Sequence, residues 1–263
     1  MRRFGLIGEH LGHSLSVPIH QAIFHRLGID ADYRLIEIPR SEFLPRASAL
    51  LTELDGFNIT IPYKQDILPL LRQVDPVAAS IGAVNTVVCE GAQGFNTDAA
   101  GFAAMLRRHG MDPAGLSCYV LGTGGASKAA VAALKAMGAT QVTLVSRHPT
   151  GAAIGYDRLA EEFSGLLINC TPAGMWPDTE GCPLTPDALD RLLPFAEGVA
   201  DLIYNPPETT LTRAARAAGV PACTGLSMLV AQAVEAERHW QACPIPDSLT
   251  EAVLHEIEEM KLL

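Results

Sequence analysis

Positive charge is scarce in this chain of 263 residues: 19 Lys and Arg face 29 Asp and Glu, a formal net charge of −10. That balance argues against nucleic acid or an anionic membrane surface as a partner. An anionic substrate would need a local cationic or hydroxyl-rich pocket. No apolar run is long enough to span a bilayer, and Met1-Arg-Arg passes straight into a strand-like stretch at residues 4–7, unlike a secretory leader. The six cysteines (Cys89, Cys118, Cys170, Cys182, Cys223 and Cys243) form no C-x-x-C pair, and several sit in apolar runs. They read as reduced cytoplasmic thiols that act mostly as small core hydrophobes. The eight histidines show no ligand spacing backed by a carboxylate or cysteine, so no metal is expected; the nearest pair, His10 and His13, reads as loop polar groups. Repeats and low-complexity segments are missing as well. With 48% hydrophobic and 18% charged residues, what is there is globular and long enough for two domains.

The strongest positive signal is a glycine loop in mid-chain. A short apolar strand at residues 118–121 runs into Gly122-Thr-Gly124-Gly125-Ala126-Ser127-Lys, and an alanine-rich helix follows at 129–137. Strand, glycine turn and helix set backbone N–H groups and a helix N-terminus against a phosphate. The Walker spacing is lacking, which disfavours a nucleoside triphosphate. Roughly 20 residues past the first glycine, where the ribose-reading residue of such domains falls, the next strand (Gln141–Val145) ends in Ser146-Arg147-His148. An NAD site usually has Asp or Glu there. A guanidinium in its place suits a 2′-phosphate and reads as NADP; the plainer alternative is a solvated surface arginine.

Around this loop the chain alternates strand and helix, the pattern of an α/β protein. Strands are predicted at 4–7, 33–38, 57–61 and 85–89, helices at 17–27, 42–51, 63–71 and 99–108. Further strands are predicted at 166–170 and 199–203, and helix from residue 227 onward, with Ser248-Leu-Thr-Glu251 as a capping box. Only eighteen residues separate Arg147 from Leu166, room for one helix at 156–163, so the second sheet is expected to be trimmed by one unit. The expected organisation is an α/β substrate domain (1–100), a Rossmann-like domain (101–225) and C-terminal helices (226–263) returning to the first domain.

Several polar residues fall at predicted element ends. Asn58 and Thr60 share one face of a period-two strand closed by Pro62, which places Lys64 in a helix's first turn, where the macrodipole disfavours a cation. That is a poor choice for stability and a reasonable one for catalysis; the plainer alternative is a surface lysine. Asp98 reads as an N-cap after Gly94-Phe-Asn96-Thr97, and Ser16 as the N-cap of the helix at Val17. Together these hydroxyls, amides, a lysine and a carboxylate favour a polyhydroxylated small molecule. Gln232 lies four residues after Met228, and both flank the apolar stripe Leu226, Leu229, Val230, Ala233 and Val234; ordinary packing is the plainer reading of both.

Seven ordered segments resemble the shikimate dehydrogenase family: His13-Ser-Leu-Ser16 with Pro-Ile-His20, Asn58-Ile-Thr60-Ile-Pro62-Tyr-Lys64, Gly82-Ala-Val-Asn85-Thr86-Val, Gly94-Phe-Asn96-Thr97-Asp98, Gly122-Thr-Gly-Gly125-Ala, Asn169-Cys-Thr171-Pro-Ala-Gly174-Met175, and Thr224-Gly225-Leu-Ser-Met228-Leu-Val-Ala-Gln232-Ala. The resemblance implies reversible NADPH-dependent reduction of 3-dehydroshikimate to shikimate, a step toward aromatic amino acids. It implies Lys64 and Asp98 as the catalytic pair, with Ser14, Ser16, Thr60, Asn85, Asp98, Tyr204 and Gln232 holding substrate. Gly122, Gly124, Gly125, Ala126, Ser127, Ser146 and Arg147 would hold NADP, with Thr171, Leu202, Gly225 and Met228 near the nicotinamide. Departures are Val17 between Ser16 and the proline, Thr123 in place of an alanine, and Ser-Arg-His where the family often has Asn-Arg-Thr. Two other readings share the scaffold: an NAD-dependent quinate/shikimate dehydrogenase, which should carry an acidic residue near Arg147's position, and a non-catalytic sensor, which should lose Lys64 or Asp98. The expected setting is cytoplasmic, as a monomer or homodimer.

Overall fold

The computed structural model describes residues 1–12, 14–241 and 244–262; the readings of His13 and Cys243 lie outside them. The chain forms two compact units, Met1–Ala100 with Val230–Leu262, and Gly101–Leu229.

In the first unit, β1 (Arg2–Gly8) runs parallel to β2 (Ala31–Glu37) and β3 (Gly56–Ile59), and β3 pairs antiparallel with β5 (Thr86–Val88). The hairpin from β5 to β6 (Gln93–Phe95) and the two-residue β4 (Gln73–Val74) complete the order β2-β1-β3-β5-β6-β4. The run Phe4-Gly-Leu-Ile7 is buried throughout because apolar side chains cover both faces of this central strand. On one face Phe43, Ala47 and Leu50 of α2 (Phe43–Glu53) pack with Phe57, Ile59 and Tyr63. On the other, Phe24 of α1 (Ser16–Leu27) packs with Phe4, Tyr33, Ala236 and Trp240. Between β4 and β5 lies the short α3 (Pro76–Ile81), capped by Asp75, whose carboxylate accepts the Val77 N–H at 2.9 Å. Ala236 and Trp240 belong to α9 (Leu226–Gln241), which follows the second unit's strands in sequence. Trp240 is 4% exposed, stacks on Phe4 and donates its Nε1–H to the Val87 carbonyl at 2.9 Å. Burying an indole of this size contributes roughly 4–6 kcal/mol. Gly56 makes room for it, since a Cβ there would lie 2.3 Å from Trp240 Nε1. The terminal helix α10 (Ser248–Glu259) packs on α1, with Arg26 and Glu256 paired at 2.8 Å.

Three local expectations need correction. Residues 63–71 do not form an α-helix: they make turns and a short 3-10 segment, Leu68–Leu70. The Lys64 carbonyl is taken by the Val84 N–H at 2.8 Å, and Pro69 has no N–H to offer Gln65. The capping box at Ser248 does not form either, because α10 already includes Ser248. Asp247 precedes it without capping, its carboxylate drawn 2.7 Å from Arg238. Finally, Ser16 is the first residue of α1, and Leu15 stands at the cap position.

The second unit is a parallel sheet of five strands. β7 (Ser117–Leu121), α5 (Gly125–Ala136), β8 (Gln141–Val145), α6 (Tyr156–Glu162) and β9 (Gly165–Asn169) are followed by α7 (Pro186–Leu192), β10 (Ala196–Asp201), α8 (Thr210–Ala217) and β11 (Ala222–Cys223). The spatial order is β11-β10-β9-β7-β8. This is the doubly wound order without its third strand. Where that strand would pair with β8, Ile154 makes a single parallel bridge to Val145. The trimmed sheet expected from the short segment after Arg147 is therefore present. Prolines and threonines start the helices here: Thr185 caps α7 ahead of Pro186, and Thr209 and Thr212 form a capping box on α8. The five described cysteines are free. Burial pushes the Cys118 thiol up to about 11, and burial, aided by nearby Asp201, pushes that of Cys223 to about 12. Neither is a thiolate at neutral pH.

Candidate active site

The end of β3 and the start of α4 (Asp98–Arg108) bring a lysine and a carboxylate together. Lys64 Nζ lies 2.6 Å from Asp98 Oδ2, the two side chains 19% and 11% exposed, so the pair is sheltered but reachable. Lys64 is held by the backbone: Tyr63 N–H bonds to the Thr60 carbonyl, and Val84 N–H to the Lys64 carbonyl. Asp98 opens α4 without capping it. Asn96 Oδ1 accepts the Asp98 N–H at 3.2 Å, leaving both carboxylate oxygens for other work. Oδ2 faces Lys64, and Oδ1 accepts from Asn85 Nδ2 at 2.8 Å. An anion in a helix's first turn is also favoured by the helix dipole. So the sheltered carboxylate, rather than a helix N-terminus acting on the lysine, is what distinguishes Lys64.

Other predicted residues gather on the same unit. Thr97 Oγ1 donates to Gln232 Oε1 at 3.4 Å and is itself bonded by Asn85 Nδ2 at 3.0 Å, so Gln232 on α9 joins the Asp98 cluster. Ser14 Oγ accepts the Ser16 N–H at 3.2 Å and donates to Ser16 Oγ at 3.0 Å, which sets two hydroxyls side by side at the start of α1. Thr60 is half-buried, its N–H bonded to the Ile7 carbonyl beyond the last residue of β3. Tyr204 belongs to the second unit, half-buried, and burial raises its phenol pKa.

That unit carries the glycine loop. Gly122 has φ +100°, and a Cβ there would press within 3.3 Å of the Cys170 carbonyl. A Cβ on Gly124 or Gly125 would meet open space. No side chain caps the N-terminus of α5, so its first N–H groups and the helix dipole face a bare glycine turn, which suits an anion. Ser127 points inward, donating to the Gly124 carbonyl at 2.6 Å. Past β8, His148 N–H bonds to Ser146 Oγ, and Arg147 is exposed with no ion pair among the described residues. Thr171 is oriented by Asn169 Oδ1, which accepts from its N–H and its hydroxyl at 2.9 and 2.7 Å. Asn169 in turn donates to Asp201, which is fully buried and is pushed up by desolvation to about 6. Gly225 crosses the Leu202 backbone so closely that a Cβ would lie 2.1 Å from the Leu202 carbonyl oxygen. Met228 is 9% exposed. The donors present fit a dinucleotide with an extra phosphate.

Among the described residues no group of three or more His, Cys, Asp or Glu could hold a metal, and no helix is long and apolar enough to cross a membrane. Residues 6–87 match the model of the shikimate dehydrogenase substrate binding domain. The NADP(+) shikimate dehydrogenase of Clostridium beijerinckii is 35% identical, over 96% of this chain and 97% of its own. The chain belongs to the shikimate dehydrogenase family. Among solved structures, a chorismate mutase/shikimate 5-dehydrogenase fusion protein from Clostridium acetobutylicum superposes with a TM-score of 0.93 at 36% identity, covering 99% of this chain and 98% of that one. The shikimate 5-dehydrogenase of Thermus thermophilus, solved in complex with NADP(H) and shikimate, gives 0.85 at 33% identity over 97% and 99%.

Sequence reasoning passed over Asn58 and Thr86 as site residues. Both are buried side chains bonded into the Asn85 cluster. The signal was available: a polar residue inside a strand that is buried at every position needs a partner. On α9 it gave roles to Met228 and Gln232 and passed over Glu237. Glu237 lies on the helix's buried side and pairs with His20 Nδ1 at 2.8 Å, both fully buried.

Proposed function

We propose that this protein is an NADP-dependent shikimate dehydrogenase, catalysing the reversible reduction of 3-dehydroshikimate to shikimate. The observation that carries the reading is the Lys64–Asp98 pair, sheltered and hydrogen-bonded at 2.6 Å beside a cluster of amides and hydroxyls. Family membership and the uncapped glycine turn before α5 support it. Substrate would be held by Ser14, Ser16, Thr60, Asn85, Asp98 and Gln232, and the family resemblance adds Tyr204. NADP, when bound, supplies and takes back the hydride at the substrate's C3. Gly122, Gly124, Gly125, Ala126 and Ser127 would hold its phosphates, Ser146 and Arg147 the 2′-phosphate, and Thr171, Leu202, Gly225 and Met228 the nicotinamide side.

Lys64 Nζ holds the proton that the developing C3 alkoxide takes, and stabilises the negative charge on the way. Asp98 keeps the ammonium aimed and accepts from the neighbouring substrate hydroxyl. In the oxidative direction the same nitrogen takes the proton back. Purified protein given 3-dehydroshikimate and NADPH should consume NADPH mole for mole with shikimate formed. Saturable shikimate binding without NADPH consumption would instead make this a binding module.

A further inference from the structure

We propose that Tyr33, Asn58 and Thr86 are positioning residues for this reaction, forming a one-way hydrogen-bond chain that fixes Asn85 against Asp98; the inference rests on the dehydrogenase reading above. The orientations of the Asn85 and Asn58 amides follow from two backbone groups. The Thr97 N–H can only donate, so the Asn85 atom 2.8 Å from it is Oδ1, and Nδ2 must face Asp98 Oδ1 and Thr97 Oγ1. The Asn85 carbonyl can only accept, so the Asn58 atom 3.2 Å from it is Nδ2. Asn58 Oδ1 then faces Tyr33, whose hydroxyl donates to it at 2.7 Å.

The second Asn58 amide hydrogen enters Thr86 Oγ1 at 3.0 Å; of the two acceptors in reach of the Thr86 hydroxyl, Asn85 Oδ1 at 3.0 Å and Thr97 Oγ1 at 3.2 Å, the nearer takes its proton. With Asn85 Oδ1 holding two donors, the Thr97 proton goes to Gln232 Oε1. The sequence of donors therefore runs Tyr33, Asn58, Thr86, Asn85, and from there to Asp98 and through Thr97 to Gln232. Tyr33 is 2% exposed, Asn58 5%, Thr86 0% and Asn85 3%, so no bulk water competes and each bond polarises the next. Valine at position 86 would fill the same space between strands. It would leave the Asn58 hydrogen and one Asn85 lone pair unmet, and Asn85 would be held by Thr97 and Asp98 alone. Thr86 thus acts through Asn85 and Asp98 without touching substrate.

The test compares Thr86→Val with Thr86→Ser, reading kcat, KM for shikimate, the pH profile of kcat and Tm. Thr86→Val should lower kcat roughly tenfold by misplacing Asp98. KM for NADP should hold, and the pH profile of kcat should move, because the Asn85 amide that donates to the carboxylate beside Lys64 has lost one of its supports. Thr86→Ser, which keeps the hydroxyl, should restore both. A Thr86→Val protein with reduced Tm but wild-type kcat and pH profile would overturn the proposal, as would a serine variant as impaired as valine. Tyr33→Phe removes the first donor of the same chain and gives the same readout should the valine variant fail to fold. Wild-type protein without dehydrogenase activity would sink the functional reading and this inference with it; active wild type with unaffected variants would sink this inference alone.

Discussion

Removing the Lys64 ammonium is the perturbation whose outcome the site's geometry constrains most closely. Lys64→Ala takes away the proton donor and one partner of a 2.6 Å pair. General acid–base groups contribute about 10²–10⁴-fold, or roughly 3–5 kcal/mol of activation free energy. The stability cost is smaller. Breaking a fully buried pair costs about 3–5 kcal/mol and an exposed one about 0–1 kcal/mol. Here the side chains are 19% and 11% exposed, and Asp98 keeps both Asn85 Nδ2 and the α4 N-terminus. A loss of about 1–2 kcal/mol, a few degrees in Tm, is the expected size. Steady-state kinetics of shikimate oxidation, with shikimate affinity from calorimetry, should show kcat down by about 10³-fold and affinity changed only a few-fold. Asp98→Asn should be slow as well, and the double variant little slower than either single one, because the two act as a unit. A Lys64→Ala enzyme with kcat within about threefold of wild type and weakened binding would refute the assignment and make Lys64 a binding residue.

Arg147→Ala should raise KM for NADP by about tenfold or more through loss of a charge-assisted contact, leaving KM for NAD unchanged; equal effects on both cofactors would remove Arg147 from the 2′-phosphate. Gly225→Ala places a Cβ 2.1 Å from the Leu202 carbonyl oxygen, so Tm should fall by several degrees, and an unchanged Tm would show that the two backbones separate at little cost. Asp201 has a folded pKa of about 6, raised from 3.8 by burial. The native state therefore binds more protons than the unfolded one between these values, and stability falls as pH rises through that window, by up to about 3 kcal/mol. Denaturant unfolding from pH 4 to pH 7 should show wild type losing stability relative to Asp201→Asn as pH rises; a constant difference would mean the carboxyl is not perturbed.

Much of the architecture was legible because its signals are local. The apolar run at Phe4, the glycine turn at Gly122 and the short segment after Arg147 each specify an element or its absence from neighbouring residues. The failures came where a distant group competed for a local bond. The stretch after Pro62 looked helical, yet the Val84 N–H takes the Lys64 carbonyl; Ser248 looked like a capping residue, yet the helix already includes it and Arg238 holds the carboxylate of Asp247 before it. The same applies to the site. Lys64 and Asp98 were marked by residue type and position, whereas the Asn58–Thr86–Asn85 bonding depends on strand register between β3 and β5, where Asn58 stands opposite Thr86. His20 and Glu237 are separated by 217 residues, a pairing no local pattern encodes.

Initial rates of shikimate oxidation with NADP and with NAD, with quinate run alongside, test the central claim most directly. The account predicts strong turnover with shikimate and NADP, and little with NAD or quinate. Turnover favouring NAD would contradict the role given to Arg147, and saturable shikimate binding without turnover on either cofactor would contradict catalysis by Lys64 and Asp98.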